Sequence, residues 1–531
     1  MTNSYFHLLL PEIILTSVAC LLMLMGCSNK ISVRRTVPVL ALLSLVAVFA
    51  VLCRQASIHA TGDAAGTLRL FHFSLYIKLL STGVGALLLL LAWPSNSQAT
   101  GNSAMNVGQE TGEFFALMLF SIVGIFLVAS ANDLILLFLG IELASIPTYI
   151  MVSISRPHSV AQEAGVKYFF LGAMAAAVML LGFSYLYGVT GTLKLDEISH
   201  VLHAHLASGS AMAPWTMLAL VILIAGFAFK LAAVPLHVYA GDVYQGAATP
   251  VTAFLSFVPK TTGMVALIKV LAATGGPNWQ FPPQISKLLW VMAVLTMSFG
   301  NVLGLLQYNI KRLLAYSSVA HSGYMLVGIT ALVGAYSSTS EAAQVQNSAL
   351  QGVLFYQAAY GITNVAAFGV LMLLPSRDSV WGRGTGSAES FEDWAGAGRR
   401  YPGLGLCMAV CCFSLIGIPL TVGFLGKLLL IKPALAGDFK WLAGITVLNA
   451  AISAAYYLRI VETMFLRDPP TESNVESMPR PFPIGLAIGL SVLGILLLGV
   501  MLPLTQVVTT AAANAAQLDD AGAGMIHAAA R

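Results

Sequence analysis

Four lysines, Lys167, Lys230, Lys260 and Lys427, lie inside long apolar runs, and Glu142 lies inside another. Holding a Lys or Asp at the centre of a membrane helix costs about 2.5–3.5 kcal/mol even on the lenient insertion scale. A chain that accepts this cost repeatedly is built to move charge across a bilayer. The bland alternative is a lysine near a helix end that snorkels to the headgroups. It suits Lys78, Lys269 and Lys432, but not several lysines near helix middles. Desolvation and a neighbouring carboxylate pull a lysine's proton affinity in opposite directions. A lysine balanced between them can take and release a proton, and Glu142 is the deepest acid available to Lys230. His237, close to Lys230, has the ring chemistry of a proton shuttle between Lys230 and Lys260, with a hydrogen-bonded packing histidine as its plainer reading. His321 is a weaker candidate. Arg459 and Glu462, spaced i, i+3, read as a structural ion pair.

The elements that position these groups are membrane helices. The 531 residues are 58% hydrophobic and 9% charged, far from the soluble norm of about 25% charged. Fourteen apolar segments can span, starting near Phe6, Val37, Leu70, Glu113, Asp133, Ala164, Trp215, Thr249, Ser286, Lys311, Leu350, Gly403, Trp441 and Pro483. Basic residues follow the first segment rather than precede it, so it reads as a retained helix. Twelve Lys and Arg fall in loops on the side reached after that helix, Arg156, Arg377, Arg383 and Arg480 among them, against four, including Arg531, on the other. The positive-inside rule then sets both termini outside. The net charge of +4 is a topology signal, not a nucleic-acid patch. No Walker motif, dinucleotide fingerprint or Cys/His metal spacing is present. The six cysteines read as small core residues.

Two stretches repeat. Phe229 to Val238 and Phe413 to Val422 agree at five of ten positions, including Pro235 and Pro419. A proline inside a span removes a hydrogen bond and frees carbonyls that lipid cannot satisfy. Paired broken helices in two halves of a chain point to a transport site near the midplane. Laying Asp133–Ile154 against Arg312–Val333 sets Glu142 opposite His321. The expected architecture is therefore an all-α polytopic membrane protein with 14 transmembrane helices. It comprises helices 1–3 (residues 1–93), two inverted five-helix repeats (113–273 and 286–466) with helices 7 and 12 broken, a final helix (483–505) and a tail (506–531). The Gly-rich segment 375–402 reads as an irregular loop on the inner side, and the tail as poorly ordered at its end.

Several runs carry a resemblance: Leu137-Phe138-Leu139-Gly140-Ile141-Glu142-Leu143, Gly226-Phe227-Ala228-Phe229-Lys230, Thr249-Pro250-Val251-Thr252-Ala253-Phe254-Leu255, Ile310-Lys311-Arg312-Leu313-Leu314-Ala315-Tyr316, and Gly417-Ile418-Pro419 through Gly426-Lys427. On these the chain resembles the antiporter-like membrane subunits of bacterial NADH–quinone oxidoreductase (respiratory complex I). The likeness is greatest to the N type, because of Asp242-Val243-Tyr244-Gln245-Gly246 and of lysine at 427. One departure is Gly241, where the family usually has proline. The resemblance implies that Glu142 tunes Lys230, that Lys260 is the relay lysine of helix eight and Lys427 the terminal lysine, with Lys167 and His237 on the same hydrophilic axis. It implies M-, L- and K-type membrane neighbours and a bacterial cytoplasmic (inner) membrane location with periplasmic termini. NADH, FMN, iron–sulfur clusters and quinone would belong to other parts of the assembly, with no cofactor or metal on this chain. A free-standing or Mrp-like cation/proton antiporter subunit is the nearest alternative, and a structural scaffold the alternative from another class.

Overall fold

An apolar segment in lipid must satisfy its own backbone, and helix is the way one segment can do so. The computed structural model describes residues 2–28, 30–58, 63–65, 67–94, 111–154, 159–207, 212–276, 279, 281–335, 340–374, 389–468 and 481–516. They are almost wholly helical. The elements are α1 (Thr2–Gly26), α2 (Ile31–Ile58), the hairpin β1 (Asp63–Ala65) and β2 (Leu68–Leu70), α3 (His72–Leu91), α4 (Thr111–Ser130), α5 (Leu134–Ile154), α6 (Ser159–Thr190), α7 (Leu195–Ala207), α8 (Pro214–Lys230), α9 (Tyr239–Gly246) and α10 (Thr249–Gly275). They continue with α11 (Pro283–Leu305), α12 (Ile310–Gly334), α13 (Ser340–Leu373), α14 (Phe391–Trp394), α15 (Ala397–Arg400), α16 (Pro402–Ile416), α17 (Val422–Ala436), α18 (Lys440–Phe465), α19 (Phe482–Val500) and α20 (Leu502–Ala516). Eleven helices among the described residues are long and apolar enough to cross a membrane.

Burial ranks these helices. The most apolar stretches of α10 and α13 are buried wholly and nearly wholly, whereas α1, α2, α6, α11, α18 and α19 leave most of theirs outward. An apolar helix enclosed on every side belongs to the centre of a bundle, so Lys260 on α10 sits at the heart of the molecule. Two pairs of consecutive helices are separated by short non-helical stretches. α8 stops at Lys230 and α9 begins at Tyr239, with Pro235 between. α16 stops at Ile416, with Gly417 at φ 87°, and α17 begins at Val422.

Several details differ from the sequence reading. The linker after α6 holds the amphipathic α7, and the one before α3 holds the β1–β2 hairpin. Both were too short to register beside the long apolar runs. The tail is helical through Ala516, with Gln351 Nε2 donating to the Thr509 carbonyl at 2.9 Å; residues 517–531 lie outside the described residues. Of the Gly-rich segment, 375–388 also lies outside them. The rest is anchored, because Phe391 and Trp394 are buried. Arg459 and Glu462 do not pair. The Arg459 guanidinium lies 4.2 Å over the Phe391 ring and donates to the Gln307 carbonyl at 3.4 Å, while Glu462 stands 4.0 Å from Arg467. Arg156, Arg377, Arg383, Arg480 and Arg531 of the orientation count lie outside the described residues.

Neither Lys78 nor Lys269 snorkels. Lys78 is 1% exposed and stands 2.6 Å from Glu12 Oε1. Lys269 donates to the Ala131 carbonyl at 2.6 Å. Each lies near a helix end, as the snorkelling argument requires, but on the helix face that turns inward.

Candidate functional site

The site is assembled from helix stripes. Glu142, Ser145 and Tyr149 stand at i, i+3, i+7 on α5, which puts them on one face. The Lys230 ammonium donates to all three: Glu142 Oε1 at 3.1 Å, Ser145 Oγ at 2.8 Å and the Tyr149 hydroxyl at 3.1 Å. Lys230 is 2% exposed and Glu142 16%. The ammonium's three protons therefore meet three acceptors, one of them charged. Sequence reasoning found Glu142 and missed Ser145 and Tyr149, although their spacing was legible.

The interruption after Lys230 is held from two sides. Val234 N donates to Thr296 Oγ1 of α11 at 3.0 Å, and the Tyr239 hydroxyl donates to the Phe229 carbonyl at 2.9 Å. The first contact draws the segment against α11, so the His237 ring faces Phe299 at 6.1 Å. Neither Lys230 nor Lys260 is among the partners of His237. The two lysines instead approach through α10. A side chain at Gly263 would come 2.8 Å from Lys230 Cβ, and Lys260 lies three residues back on the same face of α10.

Lys260 has no acid partner among the described residues. Its ammonium donates to the carbonyl and hydroxyl of Ser318 on α12, and the Tyr360 ring of α13 lies 6.0 Å away. Ser318, His321 and Tyr324 then form an i, i+3, i+6 stripe along α12. His321 Nδ1 is 2.6 Å from the Tyr356 hydroxyl, and its Nε2 is 3.1 Å from the Tyr457 hydroxyl, itself hydrogen-bonded to Ser317. The His321 ring stands 4.9 Å from Tyr360 and 5.5 Å from Tyr324. Tyr324 in turn lies under the Lys427 ammonium at 4.7 Å. His321 thus occupies the gap between Lys260 and Lys427. These tyrosines gave no sequence signal beyond ordinary core aromatics.

Lys427 donates to the carbonyls of Leu415 and Ile416 at 2.9 and 2.8 Å. These are last-turn carbonyls of α16, which have no helical partner and carry the negative end of the helix dipole. Lys311 does the same for α9. It is wholly buried, donates to the Ala247 carbonyl, and lies 3.4 Å from Glu389.

Lys167 lies apart from this series. The apolar run that surrounds it begins well inside α6, which starts at Ser159, so Lys167 is near the helix end and its side chain is 44% exposed. It pairs with Glu163 at 2.7 Å and Asp242 at 3.1 Å, and Asp242 also meets Arg312 at 2.9 Å. Gly241 falls within α9, where an added Cβ would come 2.8 Å from the Tyr316 hydroxyl.

The chain is similar to known membrane proteins. Residues 131–453 match the family described as NADH:quinone oxidoreductase/Mrp antiporter, transmembrane. The chain is 35% identical to NADH-quinone oxidoreductase subunit N of Trichlorobacter lovleyi over 93% of its length and 94% of the relative's. It is 38% identical to subunit N of Myxococcus xanthus over 74% and 76%. A chain of respiratory complex I from Thermus thermophilus superimposes with a TM-score of 0.74 at 28% identity, over 95% of this chain and 99% of that one. A chain of the Mrp complex from Dietzia sp. shares the fold, with a TM-score of 0.74 at 20% identity. The chain belongs to the N-subunit family of NADH-quinone oxidoreductases, within the wider family those enzymes share with Mrp antiporters.

Proposed function

We propose that this membrane subunit of a proton-pumping NADH–quinone oxidoreductase carries protons along Glu142, Lys230, Lys260, His321 and Lys427. The observation that carries the reading is the Glu142–Lys230 pair, held at 3.1 Å at the end of α8 and completed by two hydroxyls. Glu142 and Lys230 balance each other's charge, Lys260 and His321 meet hydroxyls able to share a proton, and Lys427 rests on two backbone carbonyls. Lys230 loads when Glu142 is near and unloads as it recedes. His321 joins Lys260 to Lys427. Lys167 acts with Asp242 and Arg312 at the edge of the membrane, and His237 at the α8–α9 break is a supporting group.

The chain crosses the membrane fourteen times when α12 and the two interrupted helices are taken with the eleven long spans. Residues 113–273 and 286–466 form two inverted five-helix units around this series. Residues 1–93 precede them, and a final spanning segment at 483–505, which takes in α19 and the start of α20, and a tail at 506–531 follow. M-, L- and K-type membrane subunits are its neighbours in a bacterial inner membrane, with both termini outside. NADH, FMN, iron–sulfur and quinone chemistry belongs to the rest of the complex, whose conformational work reaches this chain as movement of charge. The test is the proton-to-electron ratio of the assembled complex in sealed vesicles. Lys230→Ala, Lys260→Ala and Lys427→Ala each lower it, and unchanged ratios in all three with full assembly would refute the series.

A further inference from the structure

Glu12 on α1 and Lys78 on α3 form a buried ion pair that the series above does not use. The ammonium stands 2.6 Å from Oε1, both residues are at most 5% exposed, and apart from this charge contact neither Glu12 oxygen has a hydrogen-bond partner. Glu12 lies about ten residues into its helix, at mid-membrane depth. A structural pair would be expected to satisfy both carboxylate oxygens at that depth.

The pair is not isolated. One turn on from Lys78, the Ser81 hydroxyl is buried and unpartnered. On α13 the Gln357 side chain is also buried, with neither its Oε1 nor its Nε2 partnered. Gln357 falls on the α13 face that meets α3. Tyr76 of α3 donates to the Leu354 carbonyl at 3.0 Å, and a side chain at Gly361 would come 3.3 Å from Val84 of α3. Residues 354, 357 and 361 share that face by helical spacing. Three residues past Gln357 stands Tyr360, the ring beside Lys260. Buried polar atoms with no protein partner are where internal water binds.

We infer that Glu12–Lys78 is a second proton-holding site, joined laterally to Lys260 through Gln357 and Ser81. The proposal rests on the relay reading for Lys260. In the exchange, the Lys78 ammonium gives a proton to Glu12: one N–H bond breaks, one O–H bond forms, and both groups become neutral. The reverse step restores the pair, and no co-reactant is required. Among the described residues, the other charged and polar groups near the pair do not supply an alternative acid. The Phe126 ring of α4 lies 5.7 Å from the Lys78 ammonium, Lys269 of α10 is bound to the Ala131 carbonyl, and Gln55 of α2 is bound to the His7 carbonyl. Glu113 of α4 sits at the far end of α1, against Gly26.

The experiment uses the intact complex in sealed vesicles. The double variant Glu12→Gln/Lys78→Met removes both charges and so leaves no unpaired ion. Gln357→Leu cuts the lateral connection with every charge in place. Assembly, NADH oxidation and the proton-to-electron ratio are measured for each, with Lys230→Ala alongside. The proposal expects both variants to oxidise NADH while the ratio falls. A wild-type ratio in the assembled double variant makes the pair structural and overturns the proposal. If the double variant fails to assemble, Gln357→Leu decides: a lowered ratio supports the lateral site, and a normal ratio overturns it. A normal ratio in Lys230→Ala removes the relay reading itself. A lowered ratio in Lys230→Ala with normal ratios in the other two removes only this inference.

Discussion

Replacing Glu142 tests whether its distance from Lys230 sets proton loading. At 3.1 Å, two unit charges in an effective dielectric of about 20 attract by about 5 kcal/mol. Opening the gap to about 6 Å lowers that by about 2.6 kcal/mol. Carrying one charge through 100 mV needs about 2.3 kcal/mol. A recession of about 3 Å therefore matches the work of one charge against a membrane potential of that order. Glu142→Asp shortens the side chain by about 1.5 Å and leaves about 3.6 kcal/mol of attraction. Glu142→Gln removes the charge and leaves Lys230 with two hydroxyls and an amide. The expected order of proton-to-electron ratio is wild type, then Glu142→Asp, then Glu142→Gln, in vesicles holding the assembled complex. Assembly is checked first, because a buried lysine that loses its partner costs about 3–5 kcal/mol. A wild-type ratio in fully assembled Glu142→Gln would refute the reasoning.

Three other outcomes follow from the geometry. His321→Phe lowers the ratio more than His237→Phe, since His321 stands between Lys260 and Lys427 whereas His237 faces Phe299; equal effects would contradict that placement. Gly417→Ala forces a Cβ into φ 87° and to within 3.0 Å of Lys427 Cδ. It should cost about 1–3 kcal/mol, read as reduced thermal stability and assembly of the subunit, and unchanged stability would mean that the break relaxes freely. At the start of α7, hydrogen bonds from Lys194 and then Thr192 hold the Glu197 carboxyl below its usual range. Its contribution is full above that range and is lost as pH falls through the depressed value. Amide protection in α7, taken relative to the intrinsic exchange rate at each pH, should then fall on acidification in the wild type but show no such step in Glu197→Gln; identical protection profiles would exclude the linkage.

The central acid and lysines were legible because charge inside an apolar run is costly and therefore informative. Their aim was less so. Lys78 and Lys167 both stand near helix ends, yet one is sealed against Glu12 and the other is open to its surroundings. Depth along a helix can be counted from sequence, but the direction a face turns depends on which helices cover it. Ser145 and Tyr149 were readable from their spacing to Glu142 and went unread, because hydroxyls in apolar helices usually bond their own backbone, as Thr148 does to the Ser145 carbonyl at 2.6 Å. The His237 ring turns toward Phe299 of α11 because Val234 N is drawn to Thr296, and no local rule sets the exit direction of the chain after a helix end.

In the proposed relay, the partners of the two lysines beside the helix gaps decide what happens when a proton leaves. Lys427 serves two backbone carbonyls, and a neutral amine still offers two N–H groups. The end of α16 therefore stays capped in either charge state, and only its electrostatic attraction changes. Lys230 serves one carboxylate and two hydroxyls. On deprotonation it gains a lone pair, which the Ser145 or Tyr149 hydroxyl can turn to meet. Neither break needs to refold when it is emptied. Charge can come and go on a backbone that stays still, which leaves the distance between charged groups as the quantity the rest of the complex has to move.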